Sequence, residues 1–163
     1  MAPKAVVTSP SKLVGLVADT HGLMRPEAVA ALRGVDLIVH AGDIGAPAVL
    51  DQLREIAPVI AIRGNNDKGP WAGQLPTTEV VEVCGALLYV LHDVAELDLD
   101  PSAAGFHAVV SGHSHRPSVD RRDGVLFINP GSIGPRRFTL PIALALLRVA
   151  GSDLEASIVE LSV

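Results

Sequence analysis

The chain has 163 residues and a formal net charge of −5, and 48% of its residues are hydrophobic although only 3% are aromatic. This length fits a single domain, and the aliphatic composition suits strands that are buried on both faces. The acidic balance disfavours a duplex-binding protein, which usually carries a basic stripe. The longest apolar stretch near the C-terminus, 141–149, is interrupted by Arg148 and too short to span a bilayer. A single cysteine and a first segment without a continuous apolar run predict a cytoplasmic protein.

The first part of the chain predicts alternating strands and helices. Pro26 and Pro47 each begin a predicted helix, because proline fits the first helical position, and Gly34 ends the first of them. Residues 1–11 are expected to form a loose tail. The predicted strands are short apolar runs at 13–18, 37–40 and 59–62. This β-α-β-α-β order predicts parallel strands joined by right-handed crossovers.

The second part of the chain is predicted to be mostly strand. One hairpin is centred on Gly85, and Asp123-Gly124 is a further hairpin turn signal. A short helical piece is predicted over 101–105. The predicted strands are 79–84, 86–91, 108–111, 125–128, 140–149 and 157–161. We therefore expect residues 1–163 to form one α/β domain, a four-layer α-β-β-α sandwich of two mixed sheets flanked by helices.

Potential metal ligands follow five of the predicted strands. The carboxyl ends of strands are where ligands bind in open α/β sheets, so these side chains are expected to converge. Residues i and i+2 of an extended backbone point to the same side, so the first pair, D-x-H, is expected to grip one ion from one direction while the H-x-H pair approaches from another. A mixture of oxygen and nitrogen donors without thiolate favours a hydrolytic centre over a structural zinc site. The residues are Asp19 and His21, Asp43, Asn65, His92, and His113 and His115.

These segments read D-x-H, G-D, G-N-x-D, H and G-H-x-H between residues 13 and 132. In this order they resemble the calcineurin-like metallophosphoesterase superfamily, in particular its small bacterial and archaeal phosphodiesterase branch. The resemblance implies two divalent ions, with Mn favoured and Fe, Zn or Ni as alternatives. A hydroxide held between the ions would attack phosphorus in line. Asp43 would bridge the ions, with Asp19, His21 and His115 completing one site and Asn65, His92 and His113 the other.

Asp43, Asn65 and His92 are the residues expected to take part in catalysis. Two positions depart from the family pattern. Asn66 stands where larger members have a histidine that is thought to protonate the leaving group, which favours esters whose leaving groups need little protonation. Asp93 stands where the family often has glycine, and it could pair with an arginine or perturb the second metal.

Other polar or large residues are interpreted as structural. Asp67 is expected to brace the loop around Asn65, and Arg63 is interpreted as part of a surface salt bridge rather than a substrate contact. His40 is either a support for the ligands or purely structural. His107 and the turn 129–132 are interpreted as structural, Trp71 is expected to pack over the loop 68–76, and Cys84 is expected to be a small core residue. Arg116, Arg121 and Arg122 are interpreted as part of a solvated face.

Three functions are compatible with this pattern. The first is hydrolysis of small, accessible phosphodiesters. The alternative is a binding scaffold with little or no catalysis, because one member of the family, a retromer subunit, serves mainly to hold partners. A nuclease is the third, and the acidic balance and the lack of a basic aromatic groove make nucleic acid an unfavoured partner. The resemblance also implies a homodimer, and no membrane association is expected.

Overall fold

The structure is a computed structural model that describes residues 11–163. The loose tail expected over 1–11 lies outside the described residues except for Ser11, which begins the first strand. The helices are α1 (Pro26–Ala31), α2 (Pro47–Arg54) and α3 (Pro70–Gly73), with a 3-10 helix at Val94–Glu96. The strands are β1 (Ser11–Val17), β2 (Leu37–His40), β3 (Val59–Ala61), β4 (Thr78–Val83), β5 (Ala86–Leu91), β6 (Ala108–Val110), β7 (Ser118–Arg122), β8 (Val125–Asn129), β9 (Ala143–Ala150) and β10 (Asp153–Glu160).

The first sheet has five strands in the order β10-β9-β1-β2-β3. Its β1, β2 and β3 run parallel, with Val14 opposite Leu37 and Ile38 opposite Val59. The β-α-β-α-β order predicted for this part of the chain is confirmed. The hairpin of β9 and β10 adds two antiparallel strands at the other side of β1.

The second sheet has the order β4-β5-β6-β8-β7. Its central strands β5, β6 and β8 are parallel, and an antiparallel strand closes each edge. The predicted hairpin around Gly85 joins β4 to β5. Cys84 and Gly85 both have positive φ, at 49° and 84°, as the tight two-residue hairpin turn requires.

Two hydrophobic cores hold the layers together. The larger core lies between the two sheets and includes Leu16, Leu88 and Leu147, each fully buried. The second core lies between the first sheet and the helices, where Leu32 and Leu53 are fully buried. Trp71 packs against this second core, and its packing over the loop 68–76 stays a prediction. This arrangement confirms a sandwich of two mixed sheets.

The outer face of the second sheet has a thinner cover than the first. Val109 is buried there, and Leu97, which follows the 3-10 helix, packs against it. The prediction of a short helix over 101–105 is wrong, because the chain forms only a hydrogen-bonded turn there. The Asp100 side chain accepts hydrogen bonds from the backbone N–H groups of Ser102 and Ala103, and Gly105 at φ 85° ends the turn.

The strand β7 was not among the predicted elements. All five of its residues are exposed at the sheet edge, so its sequence carries no alternation of apolar and polar residues. Arg121 and Arg122 lie on this strand, which agrees with their interpretation as a solvated face. Arg122 pairs with Asp120 at 2.8 Å and lies over the ring of Phe127.

None of the helices between residues 11 and 163 has the length and apolar character that a bilayer crossing requires.

Candidate metal centre

The candidate centre lies where the carboxyl ends of strands from both sheets meet. Asp19 follows β1 and Asp43 follows β2, and the backbone N–H of Asp19 donates to the carbonyl of Gly42 at 3.0 Å. The loop after β6 connects the two sheets, because the N–H of His113 donates to Asp19 Oδ2 at 3.0 Å. The convergence predicted from the strand ends is therefore present in the fold.

Asp19, His21 and His115 form the first tight group of possible ligands. Nε2 of His21 and Nε2 of His115 are 3.4 Å apart, and Asp19 Oδ1 lies 3.8 Å and 3.5 Å from them, respectively. Asp19 is fully buried, and its Oδ1 has no hydrogen-bond partner among residues 11–163. Two imidazole nitrogens and a carboxylate oxygen thus face one point.

Asp19, Asp43 and His92 form the second tight group. Nε2 of His92 lies 3.2 Å from Asp43 Oδ2 and 3.8 Å from Asp19 Oδ1. Nδ1 of His92 is 2.8 Å from the carbonyl of Ala41 and donates to it, which leaves the lone pair of Nε2 for the centre. Asp43 Oδ2 also lies 3.8 Å from His21 Nε2, so Asp43 stands between the two groups.

The chemistry of these donors fits divalent cations. Within the described part of the chain, Asp19 Oδ1 and His92 Nε2 are buried without a hydrogen-bond partner, a costly condition unless something else satisfies them. Borderline divalent ions accept both imidazole nitrogen and carboxylate oxygen. A cation held among these atoms would satisfy both orphaned groups at once.

Charge interactions inside the centre shift two pKa values. Burial alone would raise the pKa of Asp43, but the neighbouring His92, whose Nε2 lies 3.2 Å from Asp43 Oδ2, and hydrogen bonds from Asn66 hold it well below its ordinary range. Burial likewise opposes protonation of His92, but the neighbouring Asp43, the Ala41 carbonyl and Asp19 raise its pKa above the ordinary value. Asp43 is therefore ionised at neutral pH, as a metal ligand must be.

Asn65 and His113 lie beside the tight groups rather than within them. Both line an open cleft of about 640 Å³ that His92 also borders. The His113 side chain is 46% exposed, and its Nε2 lies 3.8 Å from Asp93 Oδ2. Asp93 thus faces a histidine rather than an arginine, and its Oδ1 accepts a hydrogen bond from the N–H of Ala95. The assignment of all seven residues as ligands stays a prediction.

Arg63 also lines this cleft. Between residues 11 and 163, the ion pairs that involve arginine are Arg54 with Asp51 and Arg122 with Asp120. The interpretation of Arg63 as a salt-bridge partner is therefore wrong. Its backbone N–H donates to the carbonyl of Pro76, which places the residue at the wall of the cleft instead of on an open surface.

Asn66 has a role that the sequence did not reveal. Its side-chain Nδ2 donates to Asp43 Oδ2 at 3.0 Å, and its backbone N–H donates to Asp43 Oδ1 at 2.9 Å. The contact depends on how the loop after β3 folds back over the loop after β2, for which the residue spacing carries no signal. Asn66 holds the carboxylate that stands between the two groups.

Asp67 braces the same two loops, as predicted. Its carboxylate accepts hydrogen bonds from the backbone N–H groups of Ile44 at 3.1 Å, Gly45 at 2.9 Å and Gly64 at 2.9 Å. One buried side chain thereby satisfies donors from the loop after β2 and from the loop after β3. It fixes the distance between Asp43 and Asn65.

The turn 129–132 supports the other side of the centre. Asn129 Nδ2 donates to the carbonyl of Gly112 at 2.9 Å and to Ser114 Oγ at 3.1 Å, within the segment that carries His113 and His115. Ser132 Oγ donates to the carbonyl of Asp19 at 2.8 Å. These contacts agree with a structural rather than a catalytic role for the turn.

His107 is also structural, because its Nδ1 accepts a hydrogen bond from the N–H of Leu87.

The loops that carry the candidate ligands have an unusual backbone conformation. Eight non-glycine residues of the described chain have positive φ, and five of them are candidate ligands. A bulky residue in this left-handed region is uncommon and tends to occur at functional sites. The expectation that the D-x-H and H-x-H pairs are extended is wrong, although Asp19 and His21 still face the same point. The five residues are Asp19 (φ 55°), His21 (46°), Asp43 (57°), His113 (71°) and His115 (61°).

Comparison with known proteins agrees with this geometry. The family model of the calcineurin-like phosphoesterase superfamily domain matches residues 13–152. The chain belongs to this superfamily. A probable metallophosphoesterase of Methanothermobacter thermautotrophicus is 33% identical over 159 residues, which cover 90% of this chain and 91% of that protein.

Weaker similarities include a phosphodiesterase, which matches in sequence, and a solved structure of a protein-sorting protein, which matches in fold. A phosphodiesterase of Methanocaldococcus jannaschii is 25% identical over 137 residues, which cover 72% of this chain and 82% of that protein. The solved structure of Vacuolar Protein Sorting 29 from Cryptosporidium parvum superposes with a TM-score of 0.75 at 18% identity, covering 92% of this chain and 97% of that one. At this identity the structural likeness establishes the fold alone. Within the superfamily, the site supports a metal-dependent phosphoesterase.

Proposed function

We propose that this protein is a dinuclear metal-dependent phosphodiesterase that hydrolyses small phosphodiesters. The observation that carries the proposal is the buried Asp19 Oδ1, which lies 3.5 to 3.8 Å from Nε2 of His21, His92 and His115 without a hydrogen bond from any described residue. The similarity to a phosphodiesterase of Methanocaldococcus jannaschii supports the choice of diesters.

In this proposal, each side chain has a defined task. Asp19, His21 and His115 hold one ion, and Asn65, His92 and His113 hold the other, with Asp43 between them. When bound, the two ions supply a water of lowered pKa as the nucleophile and neutralise the charge that builds on the phosphoryl oxygens. His92 keeps its Nε2 lone pair directed at the centre through its bond to the Ala41 carbonyl. Asn66 keeps the Asp43 carboxylate in one orientation.

The cleft beside His92 is the proposed substrate site. Arg63 and Lys68 line it and supply positive charge for a phosphoryl group. The Asn66 amide is bonded to Asp43 and is too weak an acid to protonate a leaving group, so the protein should favour esters with good leaving groups. An aryl diester is the appropriate first substrate.

The experiment is hydrolysis of bis(p-nitrophenyl) phosphate by metal-free protein, before and after addition of Mn²⁺. We expect turnover only with the metal, and a loss of at least about 100-fold in kcat/KM in Asp19→Asn, since a ligand carboxylate is removed. Asp51→Asn is the matched control, because Asp51 is exposed and, among residues 11–163, pairs only with Arg54, and it should retain wild-type activity. Circular dichroism would establish that both variants fold.

Absence of turnover with Mn²⁺, Fe²⁺, Zn²⁺ and Ni²⁺ in folded protein would contradict the proposal and favour the scaffold alternative. The homodimer and the cytoplasmic location implied by the sequence remain predictions.

A further inference from the structure

The loop that carries His21 is the most open part of the two tight groups. The His21 side chain is 22% exposed, whereas the side chains of the other members of these groups are at most 8% exposed. The loop runs from Asp19, after β1, to Arg25, at the start of α1. His21 has a left-handed backbone, which costs free energy and persists only where the surrounding structure enforces it. The position of His21 therefore depends on what holds the two ends of this loop.

Arg25 is fixed at both its backbone and its side chain. Its carbonyl accepts hydrogen bonds from the backbone N–H groups of Ala28 and Val29 in the first turn of α1, and Ala28 is fully buried in the second core. Its guanidinium donates through Nε and Nη2 to the carbonyl of Gly134, at 3.3 Å and 3.1 Å. Two donors from one planar group hold that side chain in a single orientation. Arg25 thus joins the helical end of the loop to the segment that contains Gly134.

Gly134 lies against the other end of the same loop. A Cβ at this position would collide with the carbonyl oxygens of Asp19 and Thr20, so only a glycine lets the two segments come this close. The N–H of Gly134 donates to Ser132 Oγ at 3.1 Å, and this hydroxyl donates to the Asp19 carbonyl at 2.8 Å. The loop and the segment 132–134 therefore form a closed ring, which Arg25 completes at its helical end.

The charge of Arg25 and its hydrogen bonds have opposite effects on a cation at the centre. In the part of the chain from 11 to 163, the arginines that form ion pairs are Arg54 and Arg122, so no carboxylate neutralises Arg25 there. An unpaired positive charge weakens the binding of a nearby cation. An arginine that nevertheless supports cation binding must act through geometry, and this difference in sign makes its role measurable.

We propose that Arg25 is a positioning residue for His21. Its guanidinium holds the loop closed against Gly134, and the closed loop keeps the His21 imidazole directed at the point that it shares with Asp19 and His115. This inference rests on the proposed function, because it concerns the side chains that hold one of the two ions there. In this role Arg25 contacts neither the ion nor the substrate and acts only through the loop.

Titration of metal-free protein with Mn²⁺, followed by the electron paramagnetic resonance signal of the unbound ion, tests this role. In Arg25→Gln we expect the affinity for one ion to fall about 10-fold, as happens when a group that orients a ligand is lost, and the affinity for the other to change less than about twofold. Arg25→Lys keeps the charge but cannot reproduce the two-donor contact, so it should lose part of the same affinity. Arg33→Gln is the matched control, because it removes an equal charge from an exposed position just after α1, and it should leave both affinities unchanged.

A double-mutant cycle with His21 separates positioning from general damage to the fold. If Arg25 acts through His21, Arg25→Gln should weaken Mn²⁺ binding no further in protein that already carries His21→Ala. Tighter Mn²⁺ binding in Arg25→Gln would overturn the inference, as would an equal loss for both ions or an undiminished loss in the His21→Ala background. Urea denaturation in the presence of a chelator would establish that each variant folds.

The same measurements distinguish this inference from the proposed function. Wild-type protein that binds two Mn²⁺ ions with this dependence on Arg25, but hydrolyses no phosphodiester, would count against the proposed function alone. Hydrolysis by the wild type, with Mn²⁺ binding unchanged in both Arg25→Gln and Arg25→Lys, would overturn the inference alone.

Discussion

His40 lies fully buried between the loops that follow β1 and β2. Its Nδ1 accepts a hydrogen bond from the N–H of Gly42 at 3.1 Å, so the ring proton is on Nε2. Nε2 lies 3.0 Å from Thr20 Oγ1 and donates to it, and Thr20 Oγ1 donates to the carbonyl of Ile44 at 2.7 Å. A second ring proton would point at the N–H of Gly42. Burial is the main reason that the pKa of His40 falls from 6.5 to about 3.

Because His40 is neutral in the folded protein, we predict how the stability of the metal-free protein depends on pH. The unfolded chain protonates His40 below its ordinary pKa of 6.5, whereas the folded chain does so only near 3, so acidification favours unfolding between these values. The free energy of unfolding should fall between pH 6.5 and 4.5, by up to about 1.4 kcal/mol per pH unit. The raised pKa of His92 makes the free energy of unfolding depend on pH above pH 6.5, and the lowered pKa of Asp43 makes it depend on pH below about pH 4.

Urea denaturation in the presence of a chelator measures this dependence in wild type and His40→Gln. The variant should be less stable at pH 7 but nearly independent of pH between 6.5 and 4.5, because the titrating group is gone. An unchanged dependence on pH in the variant would show that His40 is not the group responsible.

Among the structural elements, the loops after β2 and β3 lie so close together that the space between them has no room for a side chain at residue 64. A Cβ on Gly64 would collide with the Oδ1 and the backbone nitrogen of Asp43. The loop pair is held in this contact by Asp67, whose carboxylate binds N–H groups from both loops. The position of Asp43 therefore depends on the absence of a side chain at residue 64.

Gly64→Ala should displace Asp43 and weaken both stability and metal binding. We expect a loss of about 1–3 kcal/mol in the free energy of unfolding, since the overpacked site must shift backbone as well as side chain. Gly73→Ala is the control, because a Cβ at Gly73 would meet no atom within 4 Å, and it should leave stability within about 1 kcal/mol of wild type. Thermal denaturation and Mn²⁺ titration of both variants check the prediction. A Gly64→Ala protein that binds Mn²⁺ like the wild type would contradict the proposed contact.

At the scale of the whole molecule, the carboxyl ends of parallel strands from two sheets face each other and bring distant segments together. The sequence predicted the first sheet's β-α-β-α-β core and the convergence of Asp19, His21, Asp43, His92 and His115, because strand ends and apolar runs are local signals. It did not predict β7, whose residues are all exposed, or the turn at 101–105, which the Asp100 side chain stabilises. The left-handed ligands and the contact of Asn66 with Asp43 depend on loops that pack against each other, and residue spacing does not encode such contacts.

In the proposed function, one chain holds two divalent ions between its sheets. Anomalous scattering at the manganese edge from crystals grown with Mn²⁺ would locate these ions. We expect two peaks, one contacted by Asp19, His21 and His115 and the other by Asn65, His92 and His113, with Asp43 between them. A single peak, or peaks away from these side chains, would contradict it.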